Sequence, residues 1–459
     1  MIMELTAEPE LHSQPSLSDL TGGNVIGLSK EHRCIYCVPR GRMDAPLKVL
    51  ILAGQHGDER PARRTVESLL AVPSTELAGR LPHLQLAFIP EANPDGCAAR
   101  SRCNADGIDL NRDHQLLLSD EATVIHQFVR RWQPNVVLDL HSYPSRRLHL
   151  LARNVVLDHD VFLDVPNHPA ILARSCSVDA LEVLRGLLRT IVRSDVRTDR
   201  YTIVEASGRA RHSTADVVDA RNGLALRYGA FTILVENRQP RHDDDATERL
   251  RLRSAQERAL WAILDWLDRH HDWFPPLTTL ASPELGSPVP VHFRYKKNGH
   301  WLQLQCRDAR RGQPASVTFP RYSASLEARR AVLLPSAYAV PASLEALTGL
   351  LHRHGFVSSP NYANGSSTVE KLRIERAHPA RQPNRPPRKI VMSPHRMRTG
   401  LDQYEVFPTR QTGGEALAVY LEPESQHGLH RIAGLQLPLR TSSWYPVLRV
   451  LDGQGPVEP

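Results

Sequence analysis

The chain has 459 residues, of which 41% are hydrophobic and 23% charged, a composition typical of a soluble globular protein with more than one domain. Its net charge of +7 and its aromatic content of 6% are too small to indicate a nucleic-acid-binding surface. The N-terminal stretch has neither a basic start nor an apolar core, and no run of about 18 apolar residues occurs. We therefore expect a cytoplasmic protein without a signal peptide, a membrane span or a nucleic-acid partner.

Short apolar runs in the first 240 residues alternate with helical patterns. Continuous apolar runs suit a sheet that is covered on both faces, and they predict strands at 34–38, 48–53, 84–89, 135–140, 147–152 and 231–236. Apolar residues spaced by three and four predict helices at 62–72, 120–132, 179–193 and 248–271. This alternation indicates an α/β domain with a largely parallel sheet.

The composition divides the chain into four parts. Residues 1–23 are polar and are predicted to form a flexible N-terminus, followed by a main domain at 24–274. A Pro- and Ser-rich linker is predicted at 275–290. The remainder, 291–459, shows the period-two alternation of half-buried strands and is predicted to be a β-rich accessory region. A Pro- and Arg-rich spacer at 377–389 leaves open a division of that region into two modules.

The stretch GQHGDERP, Gly54 to Pro61, places His56 and Glu59 directly after an apolar run and before a predicted helix. A spacing of three brings both side chains to one side of a first helical turn. Ligands of open α/β sheets bind beyond the carboxyl ends of the strands. One imidazole and one carboxylate are two of the three protein ligands of a His₂Glu catalytic zinc site. Taken alone, this pair has an alternative interpretation: the two side chains form hydrogen bonds within the turn and bind no metal.

Two further predicted strands end in side chains that complete such a site. His141 follows the run NVVLDL, and Glu236 ends the run FTILVE. Between Glu59 and His141 lies SRCNADGIDLNRD, with Arg102, Asn111 and Arg112. Zinc lowers the pKa of water and polarises a carbonyl, while a carboxylate takes the proton and passes it to a leaving amine. Guanidinium groups stabilise an oxyanion and bind a carboxylate through forked hydrogen bonds.

Five pieces of the sequence, GQHGDE, NPDG, DLNRD, DLHS and TILVE, occur in the order found in the zinc carboxypeptidases of the carboxypeptidase A type, the funnelins. Residues 34–270 resemble that family. The resemblance implies an α/β/α sandwich with a mixed, largely parallel sheet of about eight strands, followed by smaller β-rich C-terminal modules. It also implies a zinc metallocarboxypeptidase, with one Zn²⁺ per chain, that hydrolyses the C-terminal peptide bond of a peptide with a free C-terminal carboxylate.

The resemblance assigns a role to each candidate residue. Three residues would be the zinc ligands: His56, Glu59 and His141. Glu236 would be the general base and acid, and Arg102 would polarise the scissile carbonyl. Asn111 and Arg112 would bind the terminal carboxylate of the substrate.

The sequence departs from the family in the region before Glu236. The family usually carries a tyrosine on a mobile loop there, and no tyrosine falls in register, so Tyr201 and Tyr228 are the candidate substitutes. Asp216 and Asp219 either face the side-chain pocket and favour a basic residue or are solvent-exposed loop acids. The preferred side chain is therefore not assigned.

Two other functions are weighed against the carboxypeptidase. The aspartoacylase and succinylglutamate desuccinylase enzymes share the H-x-x-E and D-L-N-R pattern and hydrolyse N-acyl amino acids. The NPDG piece and the length between His141 and Glu236 favour the peptidase. A non-catalytic binding module on the same fold is the third hypothesis, although all ligand and base positions are filled.

Overall fold

The computed structural model describes residues 23–451 except 175–177, 213, 242–244, 275–282, 297–298, 300, 363–365, 379–388, 433–434 and 436–438. The strands of the first part are β1 Asn24–Leu28, β2 Cys34–Gly41, β3 Leu47–Leu52, β4 Leu84–Ile89, β5 Val136–Tyr143, β6 Val155–Leu157, β7 Val161–Asp164, β8 Thr198–Arg200, β9 Thr202–Val204, β10 Arg209–His212 and β11 Phe231–Arg238. Its helices are α1 Arg60–Leu70, α2 Ser74–Arg80, α3 Pro94–Ala99, α4 Asp120–Trp132, α5 Leu148–Leu151, α6 Pro169–Leu172, α7 Ala180–Arg193, α8 Ala220–Tyr228 and α9 Ala246–Arg269.

The C-terminal part is rich in strands, as its alternating pattern predicts. Its strands are β12 Pro288–Tyr295, β13 Leu302–Asp308, β14 Pro314–Phe319, β15 Arg321–Ser323, β16 Leu326–Leu333, β17 Ala337–Pro341, β18 Ser366–His378, β19 Lys389–Gly400, β20 Tyr404–Pro408, β21 Ser443–Trp444 and β22 Leu448–Val450. Its helices are α10 Glu345–Arg353 and α11 Glu415–Leu421.

The main sheet has eight strands in the order β1-β2-β4-β3-β5-β11-β7-β8. Its centre, β4-β3-β5-β11, is parallel, whereas β1 with β2, β2 with β4 and β7 with β11 pair antiparallel. Helices α1, α7 and α9 cover one face, and α4 and α8 cover the other. The predicted α/β/α sandwich with a mixed, largely parallel sheet of about eight strands is confirmed.

The surroundings of strand β3 explain why its sequence is a continuous apolar run and does not alternate with polar residues. Val49 and Ile51 pack into the core beneath α1 and α9, while Leu50 and Leu52 pack on the opposite face towards α4. Because both faces of a central parallel strand are buried, polar residues are excluded from the run and appear only where it ends.

The strand predicted at 147–152 is wrong. Helix α5 occupies this segment, with the Leu151 N–H donating to the carbonyl of Arg147 at 2.9 Å and the Ala152 N–H donating to that of Leu148 at 3.0 Å. Leu148 is 82% exposed and Leu150 is buried, so one leucine of the run faces the solvent. An apolar run of this length cannot separate a strand from a short helix by pattern alone.

Strands on both sides of the predicted linker pair with each other. Strand β13 pairs with β6, and β15 pairs with β10. Leu117 and Leu226 of the first part share a hydrophobic core with Val291, Tyr338 and Leu417 of the C-terminal part. The C-terminal part is therefore built against the main sheet domain. Much of the predicted linker and spacer, at 275–282 and 379–388, and the N-terminus at 1–22 lie outside the described residues.

Helix α9 has 24 residues and crosses the main sheet on its α1 side. It begins after Asp245, whose side chain accepts a hydrogen bond from the Glu248 N–H at 2.8 Å, a typical N-cap. Most of its arginines are exposed, whereas Glu248 and Asp268 are buried. None of the described helices combines the length and the apolar content that crossing a bilayer requires.

Candidate functional site

The site lies where β3, β5 and β11 end at one edge of the main sheet. His56 and Glu59 belong to the turn between β3 and α1, and His141 lies in the last part of β5. Gly57 allows this turn to pack closely, because a Cβ atom there would lie 1.9 Å from the carbonyl carbon of Gly96. The sequence thus brings the three predicted metal ligands to the edge at which α/β sheets bind ligands.

The three side chains converge, with potential ligand atoms that all lie within 4.8 Å of one another. Glu59 Oε1 is 2.7 Å from His56 Nδ1, and Glu59 Oε2 is 3.1 Å from His141 Nδ1. The two Nδ1 atoms are 3.1 Å apart, and all three residues are buried. Two imidazole nitrogens and one carboxylate facing a common point form a donor set suited to zinc.

The opposite ring nitrogens are held by carboxylates. His56 Nε2 donates to Asp109 Oδ1 at 2.9 Å, and His141 Nε2 donates to Asp139 Oδ1 at 3.0 Å. This arrangement leaves Nδ1 of each ring as the ligand atom and is the usual support of metal-binding histidines. Burial opposes the positive charge of His141, but the carboxylates of Asp139 and Glu59 outweigh it and raise its pKa well above the ordinary value.

A buried chain of hydrogen bonds leads away from Asp139. Gln55 Nε2 donates to Asp139 Oδ1 at 2.7 Å, and Gln55 Oε1 lies 2.8 Å from His114 Nε2. His114 Nδ1 is 3.1 Å from His126 Nε2, and His126 Nδ1 is 3.0 Å from the Tyr228 hydroxyl. Burial lowers the pKa of His114 to about 4, so this ring is neutral near pH 7. The hydrogen bonds of this chain are consistent when every group donates to the next one, starting at the Tyr228 hydroxyl and ending at the Asp139 carboxylate.

Glu236 lies beside the three converging side chains. It is in register with His141 on the neighbouring parallel strand, so both side chains project from the same face of the sheet. Burial raises the pKa of Glu236 to about 7, and the nearby carboxylate of Glu59 adds to the rise. A carboxyl group with this pKa can exchange a proton near neutral pH.

Arg102 contacts the cluster from the opposite flank. Its Nε donates to Asp109 Oδ2 at 2.9 Å, and its Nη1 lies 3.4 Å from Glu59 Oε1. The side chain is 43% exposed, so part of the guanidinium faces the open side of the site. Its position allows contact with a substrate carbonyl next to the cluster.

Asn111 and Arg112 lie on the same segment as Arg102 but differ in surroundings. Asn111 is buried, with Nδ2 3.1 Å from His141 Nε2 and Oδ1 accepting from the Ala220 N–H at 2.9 Å. Arg112 is exposed, and its Nη1 donates to the Asn111 carbonyl at 2.6 Å. Arg112 therefore faces solvent with free donor capacity, whereas the Asn111 amide is enclosed by protein: its Oδ1 accepts from Ala220, and its Nδ2 contacts the ring of His141.

The tyrosine and aspartate candidates that precede Glu236 in the sequence differ in their surroundings. Tyr228 belongs to the buried chain behind the site, while Tyr201 lies near Glu236 and accepts a hydrogen bond from Arg147 Nη2 at 3.1 Å. Asp219 caps α8 by accepting from the Asn222 N–H at 2.9 Å. Asp216 is 47% exposed and accepts from Nε2 of His427, a residue of the C-terminal part, at 3.1 Å.

Sequence reasoning did not identify Asp109, Gln55 or Arg147 as part of this site. Asp109 stands two residues before Asn111 in the DLNRD piece, and Gln55 directly precedes His56, so each lies within two residues of a predicted site residue. Arg147 is the first residue of the segment 147–152, for which a strand is wrongly predicted. The contact between His427 and Asp216 joins distant parts of the chain, and no local signal indicates it.

Part of the chain matches a known family. Residues 45–163, about a quarter of the chain, match the succinylglutamate desuccinylase/aspartoacylase catalytic domain. This range contains the predicted metal ligands and ends before Glu236. The matched range therefore includes the edge of the sheet where His56, Glu59 and His141 meet.

Individual relatives are distant. The chain is 23% identical over 187 residues to carboxypeptidase 2 of Trichophyton tonsurans, covering 39% of this chain and 35% of that protein. It is 44% identical over 64 residues to murein peptide amidase A of Escherichia coli strain K12, covering 14% of this chain and 24% of that protein. The chain therefore spans about a third or less of the length of these curated relatives.

Two solved structures resemble this chain over about half of its length. A metallo-carboxypeptidase from Pseudomonas aeruginosa in complex with (2-guanidinoethylmercapto)succinic acid is 22% identical, with a TM-score of 0.42 over 55% of this chain and 66% of that chain. The murein-tripeptide amidase of Escherichia coli O157 is 19% identical, with a TM-score of 0.32 over 52% of this chain and 92% of that chain.

Proposed function

We propose that the protein is a zinc-dependent carboxypeptidase that hydrolyses the C-terminal amide bond of a peptide. The observation that carries this proposal is the convergence of His56, Glu59 and His141 within 4.8 Å, with Glu236 in register beside His141. In this proposal residues 24–274 form the catalytic domain, and residues 291–459 form the accessory region.

The three converging residues would hold one zinc ion. Their donor set fits it, because two imidazoles present Nδ1 and are each supported through Nε2 by a carboxylate. Zinc in such a site supplies Lewis acidity that lowers the pKa of water and polarises a carbonyl group.

The remaining residues would bind the substrate and move the proton. Glu236 takes a proton from the attacking water and delivers it to the leaving nitrogen, a task for which its pKa of about 7 is suited. Arg102, beside Glu59, stabilises the negative charge that develops on the carbonyl oxygen. Arg112, exposed at the same edge, binds the terminal carboxylate of the substrate. Asn111 supports this arrangement through its contacts to His141 and to the start of α8.

The comparisons support an amide hydrolase and favour two related substrate classes. The carboxypeptidase and amidase names of the relatives support cleavage of a peptide or an amide of an amino acid. The family match at residues 45–163 favours a second candidate, a zinc-dependent deacylase of the aspartoacylase or succinylglutamate desuccinylase type. In both proposals His56, Glu59 and His141 would hold the zinc, and Glu236 would be the general base.

The test is hydrolysis of N-acyl dipeptides and of N-acetyl and N-succinyl amino acids by the zinc-loaded protein. We expect release of the C-terminal residue from the dipeptides, loss of turnover with a chelator and recovery on adding zinc. The Glu236→Gln variant should retain zinc but lose most of its turnover, whereas the Glu76→Gln variant, at an exposed position of α2, should match the wild type.

The substrate panel separates the two candidates. Turnover of N-acyl amino acids alone would replace the carboxypeptidase by the deacylase. Turnover of any of these substrates that ignores the chelator and survives Glu236→Gln would remove both proposals. Stoichiometric zinc with no turnover would favour a binding protein.

A further inference from the structure

A cluster of aromatic rings flanks Glu236 on the side away from Arg102. On the adjacent strand β7, Phe162 is in register with Glu236, so the two side chains share a face of the sheet. The ring of Phe162 lies 5.0 Å from that of Tyr143 and 6.0 Å from that of Tyr201, measured between centroids. The two tyrosines therefore border the site next to the proposed general base.

Arg147 rests on both of these tyrosines. Its guanidinium carbon is 5.6 Å from the ring centroid of Tyr143 and 5.3 Å from that of Tyr201. Nη2 donates to the Tyr201 hydroxyl at 3.1 Å, and Nη1 donates to the carbonyl of Thr202 at 3.3 Å. These contacts fix the plane of the guanidinium and leave further N–H groups for another acceptor.

Arg147 differs from the other arginines near the site in the groups to which its guanidinium donates. Arg102 pairs with Asp109 at 2.9 Å, and Arg200 pairs with Asp164 at 2.9 Å. Within the described part of the chain, both hydrogen bonds of Arg147 go to uncharged oxygens. No carboxylate lies within ion-pair distance of Arg147 in this part of the structure, although the Glu236 carboxyl is near enough to interact with its charge. A half-buried guanidinium that keeps free N–H groups has lost part of its hydration and binds an incoming anion more strongly than an exposed one does.

The position of Arg147 defines which part of a substrate it meets. Arg102 contacts Glu59, which follows β3, whereas Arg147 contacts Tyr201, which follows β8 and so lies beyond β11 and β7 in the strand order. If the segment of Arg102 and Arg112 binds the carbonyl and the terminal carboxylate, then Arg147 faces the acyl side of the bond to be cleaved.

We propose that Arg147 is a specificity-determining residue that binds a carboxylate on the acyl side of the scissile amide. This inference rests on the proposed function and names its substrate class: substrates whose acyl group carries a negative charge. The carboxylate can come from an acidic residue that precedes the C-terminal residue of a peptide, or from a dicarboxylic acyl group such as succinyl on an amino acid. Both present the same chemistry to a forked donor.

The experiment compares matched charged and neutral substrates with the zinc-loaded full chain. One arm pairs N-acetyl-Glu-Ala with N-acetyl-Gln-Ala, and the other pairs N-succinyl-alanine with N-acetyl-alanine. We expect the wild type to favour the charged member of at least one pair in kcat/KM by about tenfold to a hundredfold, the range of one charged hydrogen-bonded pair. The arm that shows the preference identifies the source of the carboxylate.

Variants then test whether Arg147 causes the preference. Arg147→Met, which keeps the length of the side chain, should remove it, and Arg147→Lys should retain part of it. Arg146→Met, at the exposed neighbouring position, should leave it unchanged. If Arg147→Met unfolds in a thermal melt, Tyr201→Phe replaces it as the test, because it removes the hydroxyl that orients the guanidinium.

Two results would overturn the proposal: equal kcat/KM for the members of both pairs in the wild type, or a preference that survives Arg147→Met. Absence of turnover on every substrate would count against the proposed function alone. In that case the Kd values of N-acetyl-Glu-Ala and N-acetyl-Gln-Ala, measured by calorimetry, decide the question, and equal binding rejects the role of Arg147.

Discussion

Replacement of Asp139 by asparagine tests whether the carboxylate behind His141 tunes metal affinity. Asp139 is fully buried and accepts from Gln55 Nε2 at 2.7 Å and from His141 Nε2 at 3.0 Å, both through Oδ1. The asparagine oxygen can accept the same two hydrogen bonds, so the variant keeps the geometry and removes the charge. Its amide nitrogen would take the place of Oδ2, which has no hydrogen-bond partner within the described chain.

The expected loss of zinc affinity follows from the position of Asp139 behind the proposed ligand His141. Removing the outer partner of a metal-binding histidine typically lowers metal affinity by about 10- to 100-fold, or about 1.4–2.7 kcal/mol at about 1.36 kcal/mol per factor of ten. The physical cause is a less basic Nδ1 on His141, because a neutral amide stabilises positive charge on the ring less than a carboxylate does. The unpartnered amide nitrogen adds a separate cost of about 1–3 kcal/mol to folding.

The assay is competition for zinc between the protein and a chromophoric chelator at fixed pH, with a thermal melt of the metal-free protein alongside. Asp265→Asn is the matched control, since Asp265 is 36% exposed and pairs with Arg80 far from the site. We expect the control to bind zinc like the wild type. Unchanged zinc affinity in Asp139→Asn, with or without a lower melting temperature, would refute the reasoning.

Three further predictions concern the edge of the site and its contact with the C-terminal part. Gly57→Ala should lower the melting temperature and abolish zinc binding measured by metal analysis, because the new Cβ would lie 1.9 Å from a facing backbone carbon. Gly413→Ala should cost more in urea unfolding than Gly286→Ala: both have positive φ, but only at Gly413 would the Cβ collide, 1.9 Å from the carbonyl oxygen of Arg227. Glu236→Gln should raise the melting temperature of the metal-free protein more at pH 8 than at pH 5. The pKa of about 7 means that the folded wild type keeps a proton that the unfolded chain has already lost, so this group costs stability as the pH rises from about 4.5 to 7.

The centre of the fold follows directly from the sequence. The runs that became β3, β5 and β11 are mostly apolar because both faces of these strands are buried, and His56, His141 and Glu236 lie at or after their carboxyl ends. Asp139 is a buried polar residue within β5, and it pairs with His141. The predicted convergence of the residues after β3 and β5 depends on these strands being parallel neighbours, and they are. Local pattern indicated which strand ends carry His56, Glu59 and His141, and the family resemblance assigned them together as ligands; the structure brings their ligand atoms within 4.8 Å of one another.

Other features depend on contacts that a single sequence does not encode locally. The segment at 147–152 carries apolar residues at positions compatible with a strand or a helix, and in the structure the helix buries Leu150 and exposes Leu148. The short strand β7, which places Phe162 beside Glu236, lies close to this error and was missed with it. The role of Arg147 depends on both, so it could be seen only after the structure had placed Tyr143 and Tyr201.

The two glutamates of the site show how the surroundings divide one residue type into two roles. Burial works against the charge on Glu59, but His141 and His56 hold its pKa below the ordinary value, whereas burial and the charge of Glu59 raise the pKa of Glu236 to about 7. A carboxylate that stays ionised suits a metal ligand, and one that exchanges its proton near neutral pH suits an acid and base. The two matched substitutions should therefore have different effects. The Glu59→Gln variant should lose both bound zinc and turnover, while the Glu236→Gln variant should lose turnover and retain zinc. If both variants keep zinc equally well, the division of roles between the two carboxylates is wrong.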